Sequence, residues 1–157
     1  MAKILKILQE NEPTLRKKTE VVENPKSPEI QKLIENMIKT MKHAKGIGLA
    51  APQVGILLRI FTIDLEGKIS VFINPEIKDF SKEESSFEEG CLSVKKIWGQ
   101  VVRPKKLSIR AMDKNGKLVK IRAKGLLARV IQHENDHLNG ILFIDKAEKL
   151  YKIESQK

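Results

Sequence analysis

The sequence predicts an α+β protein in which antiparallel β-strands pack around a central helix with metal-ligand spacing, with a second helix nearer the N-terminus. Three observations lead there. Two segments carry apolar residues at a 3.6-residue period, the stretch between them is a series of β-type runs joined by turn residues, and no internal repeat or low-complexity segment interrupts the pattern. The length, 157 residues, matches a single domain over residues 1–157 that can bury a core without disulfides.

Residues 1–26 read as an irregular wrapping arm, because Pro13 and Pro25 bias the residues before them toward extended geometry. Ser27-Pro28-Glu29 then supplies an N-cap, a proline at the first helical position and an early acidic residue. Ile30, Leu33, Ile34, Met37, Ile38 and Met41 follow with helical spacing, so a helix is expected from Pro28 to Ala44, with Gly46 as a candidate terminating residue. Strands are expected over Leu57–Leu65 and Ile69–Ile77, joined at Glu66-Gly67-Lys68, and again over Ile97–Arg103 and Leu107–Met112. The last of these turns through Asn115-Gly116 into Leu118–Ala123, a strong hairpin signal. Leu126–Leu138 returns to a helical period and stops at Asn139-Gly140, and a strand-like Ile141–Ile144 and a short polar tail complete the chain.

Composition excludes several classes. At 41% apolar and 32% charged residues the chain is not disordered. No apolar run is long enough for a membrane helix, and the Lys-interrupted N-terminus does not match a secretion signal, so a cytoplasmic protein without membrane contact is expected. One cysteine, Cys91, allows no internal disulfide and in a reducing compartment implies no disulfide-linked partner. The formal charge of +10 permits an anionic partner, but the lysines are scattered and aromatics make up only 4%, so a dedicated nucleic-acid reader is weakly supported.

The strongest chemical signal is Gln132-His133-Glu134-Asn135-Asp136-His137. Histidines four apart lie on one helix face and reach the same ion, and the intervening Glu134 can take a proton from a water activated by that ion. A catalytic site of this kind uses three protein ligands. Only 20 residues follow His137, and Glu148 and Glu154 there sit in a Lys-rich tail, so a downstream third ligand is disfavoured. Cys91, in Glu88-Glu89-Gly90-Cys91-Leu92-Ser93, completes a Cys/His/His set. A third segment, Gly46-Ile47-Gly48-Leu49-Ala50-Ala51-Pro52-Gln53, has small residues that admit close approach to the main chain and ends in an amide donor.

These three segments, in this order and spacing, resemble the signature motifs of the peptide deformylases, and the likeness spans nearly the whole chain. The resemblance implies removal of the N-formyl group from the initiator methionine of new polypeptides, with release of formate. It also implies one divalent metal on Cys91, His133 and His137, commonly Fe(II), with Zn(II), Ni(II) or Co(II) as substitutes. By position, Glu134 corresponds to the general acid/base, and the Gln53 amide and the Leu92 N–H correspond to the oxyanion donors. The peptide is expected to lie extended beside Ile47 and Gly48, near Glu89, with its methionine in a pocket walled by Phe87, Leu126 and the stem of Arg129. The expected partners are N-formyl-methionyl nascent peptides, with transient ribosome contact through the basic surface. The chain departs from common family patterns at Lys45, Lys95 and Trp98, which bear on the substrate rim, and from the short tail after Phe143 the long C-terminal helix of some members is not expected.

Two other readings remain open on the residues alone. An endoprotease built on the helix motif would not need Cys91 for its metal, and a basic RNA-binding domain would leave the Gln53 segment without a purpose.

Overall fold

A computed structural model describes residues 1–152; the end of the expected polar tail, residues 153–157, lies outside them. Helix α1 (Pro28–His43) begins as expected, with the Ser27 hydroxyl accepting from the Ile30 N–H. Its end differs from expectation. Lys45, not Gly46, takes the left-handed conformation (φ 57°), while Lys45 N–H bonds Lys42 and Gly46 N–H bonds Met41, closing a Schellman motif.

A five-stranded antiparallel sheet follows the order β1-β2-β3-β6-β7, formed by β1 (Gly48–Ala50), β2 (Ile60–Leu65), β3 (Lys68–Lys78), β6 (Lys106–Met112) and β7 (Leu118–Lys124). The two expected hairpins are present. Glu66 and Gly67 both adopt positive φ between β2 and β3, and Asp113 Oδ1 accepts from the Asn115 and Lys117 N–H groups between β6 and β7. A smaller antiparallel sheet has the order β4-β5-β8, with β4 (Glu84–Cys91), β5 (Val94–Pro104) and β8 (Lys149–Lys152). Of these only the central part of β5 was expected; β1, β4 and β8 were not.

Strand alternation divides the core. Phe61 pairs with Phe72 and faces helix α2 (Gly125–Leu138), together with Leu107, Ile109 and Ala111. The neighbouring pair, Ile60 and Ile73, points to Ile34, Met37 and Met41 of α1. The large sheet therefore lies between the two helices, with α2 central, in agreement with the predicted architecture. Helix α2 stops as expected: Gly140 is left-handed (φ 75°), and the Gly140 and Ile141 N–H groups return to His137 and Asp136.

The strand expected over Ile141–Ile144 is not formed. Phe143–Asp145 is a 3-10 turn whose Asp145 carboxylate accepts from the Leu142 N–H, and Leu142 and Phe143 are buried against Leu15, Val94 and Val101. Apolar residues there fill a satellite cluster instead of pairing along an edge. The arm is irregular as expected, apart from a 3-10 turn at Pro13–Arg16. Among the described residues no helix is long and apolar enough to cross a membrane.

Candidate active site

Helix α2 presents His133 and His137 on one face, and the β4–β5 turn brings Cys91 to them from 46 residues away. One donor atom from each of Cys91, His133 and His137 lies within 4.8 Å of the other two, and Cys91 Sγ is 3.4 Å from His137 Nε2. A tetrahedral ion with bonds of about 2.3 Å to sulfur and about 2.05 Å to nitrogen separates those donors by about 3.5 Å, so this set fits a metal. His133 Nδ1 is 2.9 Å from Glu89 Oε1, which leaves Nε2 to face the donor cluster. Burial opposes the charged form of His133, yet its hydrogen bonds with Cys91 and Glu89 outweigh this and raise its pKa, so a cation bound here displaces a proton. Burial drives His137 the other way, well below its ordinary value, and keeps it in the neutral form that binds metals.

Glu134 is 4% exposed, and its Oε1 has no hydrogen-bond partner among the described residues. Burial pushes its pKa up to about 7. Such a carboxyl can both take and return a proton near neutrality. The opposite wall must be glycine: a Cβ on Gly48 would collide with Glu134 Oε2 and come within 2.8 Å of its Cδ. Beside Gly48, the 3-10 turn Ala51–Val54 carries Gln53, fully buried, whose Oε1 accepts from the Ala50 N–H. Its Nε2 donates to Ser93 Oγ at 3.0 Å and lies 3.6 Å from Cys91 Sγ. The amide is therefore held at both ends, with its Nε2 end directed toward Cys91.

Eleven of the twelve residues singled out in the sequence line one cavity of about 470 Å³: Ile47, Gly48, Gln53, Phe87, Glu89, Cys91, Leu92, Leu126, Arg129, His133 and Glu134. His137 is buried at its edge. Ile47, Phe87, Trp98 and Leu126 expose large apolar surfaces around the mouth. Glu89, expected beside the peptide, lines the cavity, but its carboxylate is taken up elsewhere: it accepts from Arg103 Nε and Nη2 at 2.6 and 2.9 Å, from Arg129 Nη1 at 2.5 Å, and meets His133. Burial alone would raise its pKa, but the hydrogen bonds from His133 and Arg103 hold it well below the usual range. Asp136 reaches the site only through Arg103 Nη1 at 3.0 Å, while Lys146 holds its outer side.

The sequence reading missed Arg103 and Ser93. Arg103 had a signal: in β5, Gly99, Val101 and Arg103 occupy one inward face, and an arginine at an inward position must find anions there.

The polypeptide deformylase family model matches residues 4–152. The chain belongs to that family. A peptide deformylase of Natranaerobius thermophilus is 45% identical over 96% of this chain and 97% of its own, and one of Treponema pallidum is 49% identical over 77% of this chain and 75% of its own. Among solved structures, the Thermotoga maritima deformylase superposes with a TM-score of 0.90 at 40% identity, covering 94% of this chain and 99% of that one. A deformylase of Acinetobacter baumannii with Met-Ala-Ser bound gives a TM-score of 0.89 at 35% identity, covering 93% and 99%. This deformylase-family chain is accordingly a metal-dependent hydrolase that removes the N-formyl group from nascent peptides.

Proposed function

We propose that Cys91, His133 and His137 hold Fe(II) and that formyl-methionyl peptides are hydrolysed in the cavity beside them, with Glu134, Gln53 and Leu92 acting on the formyl group. The mutual approach of the three donor atoms carries this reading. Fe(II) follows the family resemblance, and the same donors suit Zn(II), Ni(II) or Co(II). When bound, such an ion polarises the formyl carbonyl and makes an attacking water acidic enough to ionise near neutrality.

The chain's own residues do the rest. Glu134 takes the proton of the attacking water on a carboxylate oxygen and returns it to the departing amine, a role supported by its burial and its pKa of about 7. The Gln53 amide and the Leu92 N–H donate to the oxygen on which negative charge develops; their fixed position costs no reorganisation in that step. Strands β1 and β4 are each at a sheet edge, with unpaired main-chain groups beside the cavity, which suits an extended peptide lying between Ile47-Gly48 and Glu89-Gly90. Phe87, Leu126 and the Arg129 stem wall the methionine side chain. The Met-Ala-Ser complex of the Acinetobacter relative supports a methionine-first ligand. We assign the protein to the cytoplasm as one unit over residues 1–157, with its +10 charge favouring transient contact with ribosomal RNA.

The test is formate release from formyl-Met-Ala-Ser by protein purified without oxygen and loaded with Fe(II), because air can oxidise Cys91 or the ion. We expect rapid release that disappears on chelation, and a fall in kcat of about 10²- to 10⁴-fold in Glu134→Gln with metal retained. Full activity of Glu134→Gln would remove Glu134 from the mechanism, and full metal content in Cys91→Ala would favour the endoprotease arrangement.

A further inference from the structure

The N-terminal arm, read from the sequence as a wrapping segment, reaches the site in two places. Leu8 donates its N–H to the Gln53 carbonyl at 2.8 Å. Gln9 donates its side-chain Nε2 to the Leu92 carbonyl at 3.2 Å, across 83 positions of sequence. The same nitrogen also donates to the Ile7 carbonyl at 3.3 Å, so both of its hydrogens have acceptors. Packing fixes the base of this side chain. Ile7 sits against the α1 cluster, and Leu8 against the satellite cluster of Leu15, Val94 and Val101, which Cys91 also joins.

Leu92 and Ser93 are the two residues that turn β4 into β5, between the paired Cys91 and Val94. The peptide joining them lies outside the ladder, so strand pairing does not hold its plane. Neither residue has a positive φ, so the turn is not one of the primed types that two-residue hairpins favour. The carbonyl of this peptide accepts from Gln9, and its N–H, on Ser93, donates to Cys91 Sγ at 3.4 Å. A trans peptide points its C=O and N–H in opposite directions within one plane, so holding one end aims the other. Each hydrogen bond in such a chain also polarises the next. A donor on a thiolate draws charge from the sulfur and tunes what that sulfur gives to a bound ion.

We propose that Gln9 is a positioning residue for Cys91: by holding the Leu92 carbonyl it fixes the turn peptide whose N–H draws charge from the thiolate, which keeps a bound ion strongly polarising. This rests on Cys91 serving as a metal ligand, as proposed above. Gln9 stands outside the cavity wall and acts on the reaction only through this turn.

The test uses Co(II)-loaded protein, because the energy of the thiolate-to-Co(II) charge-transfer band reports the charge on the sulfur. Wild type is compared with Gln9→Met, which keeps the length without a donor, and with Gln9→Glu, which sets an acceptor against the Leu92 carbonyl. Losing the N–H bond raises the sulfur lone pair, so the band should move to longer wavelength in Gln9→Met and at least as far in Gln9→Glu. The kcat for formate release from formyl-Met-Ala-Ser should fall about tenfold or more in both variants, with KM retained. An unmoved band in Gln9→Met overturns the proposal even if stability or kcat falls, and leaves Gln9 a tether of the arm. A wild-type band in Gln9→Glu overturns it too, as does an unchanged kcat beside a shifted band. Amide hydrogen exchange in the Zn(II)-loaded wild type needs no variant: the Ser93 N–H should be protected, and exchange at the rate of a free amide overturns the proposal. Absence of the charge-transfer band from the wild type would instead remove Cys91 from the ligand set, and this inference with it.

Discussion

On one side of α2, Ala128, Ile131 and Leu138 pack against Phe61, Phe72, Leu107 and Ile109 of the large sheet; on the other, Arg129, His133 and Asp136 meet Glu89 and Arg103 of the small one. Both regions are buried, and one helix serves both. The apolar side is held by contact area, which has no preferred direction and is lost in proportion to the atoms removed. The ionic side sets two carboxylates against two guanidiniums, and each group is tolerable only while its partners stay. Removing one member of the cluster that orients His133 therefore leaves a buried charge short of a partner, which removing one apolar contact does not.

Five substitutions and one titration separate the two regimes. The largest stability effect is expected for Arg103→Met, which keeps bulk but leaves Glu89 and Asp136 without their shared cation: a loss of about 3–5 kcal/mol in urea unfolding. A loss as small as that of a core substitution would mean that the cluster is no more demanding than the core. Next, Gly48→Ala should lower kcat about 10²-fold with the fold retained, because its Cβ displaces the Glu134 carboxylate.

Acid should then separate the regions without mutation. Glu89 has an ordinary value of 4.5 and is depressed in the folded protein, so its contribution is complete above about 4.5 and is lost as pH falls through the folded value. The urea midpoint should fall progressively once pH drops below about 5, and the fall should shrink in Glu89→Gln; an undiminished fall would assign it to other carboxylates. Phe61→Leu, on the apolar side, should cost about 1 kcal/mol, with little effect on kcat. The smallest change is expected for Gly46→Ala, whose Cβ crowds the movable end of Leu92, at 2.7 Å, and otherwise makes ordinary contacts. A kcat loss there equal to that of Gly48→Ala would show that main-chain position, not the Glu134 carboxylate, governs this wall.

What could be read from the sequence was local. The period of α1 and α2, the Ser27 cap, the Asn139-Gly140 stop and the two hairpins each lie within a contiguous stretch whose own sterics and hydrogen bonds decide them. The His133/His137 pair was legible for the same reason. The missed strands lack that signature: β4 is an edge strand carrying mostly polar residues, β8 is half lysine, and β1 is three residues long. Their pairing depends on what lies beside them, and the apolar run at Ile141–Ile144 became a turn because no strand partner was there to receive it.

The residues thus determined by themselves which side chains could bind a metal and move a proton, and the family resemblance tied them to one reaction. Tertiary structure decided the rest: that Cys91 meets His137, that Glu89 serves two arginines and His133, and that Arg129 stands in a wall shared by two cavities. These are contacts between residues roughly 14 to 46 positions apart, set by how the small sheet closes on α2, and no local period encodes that closure.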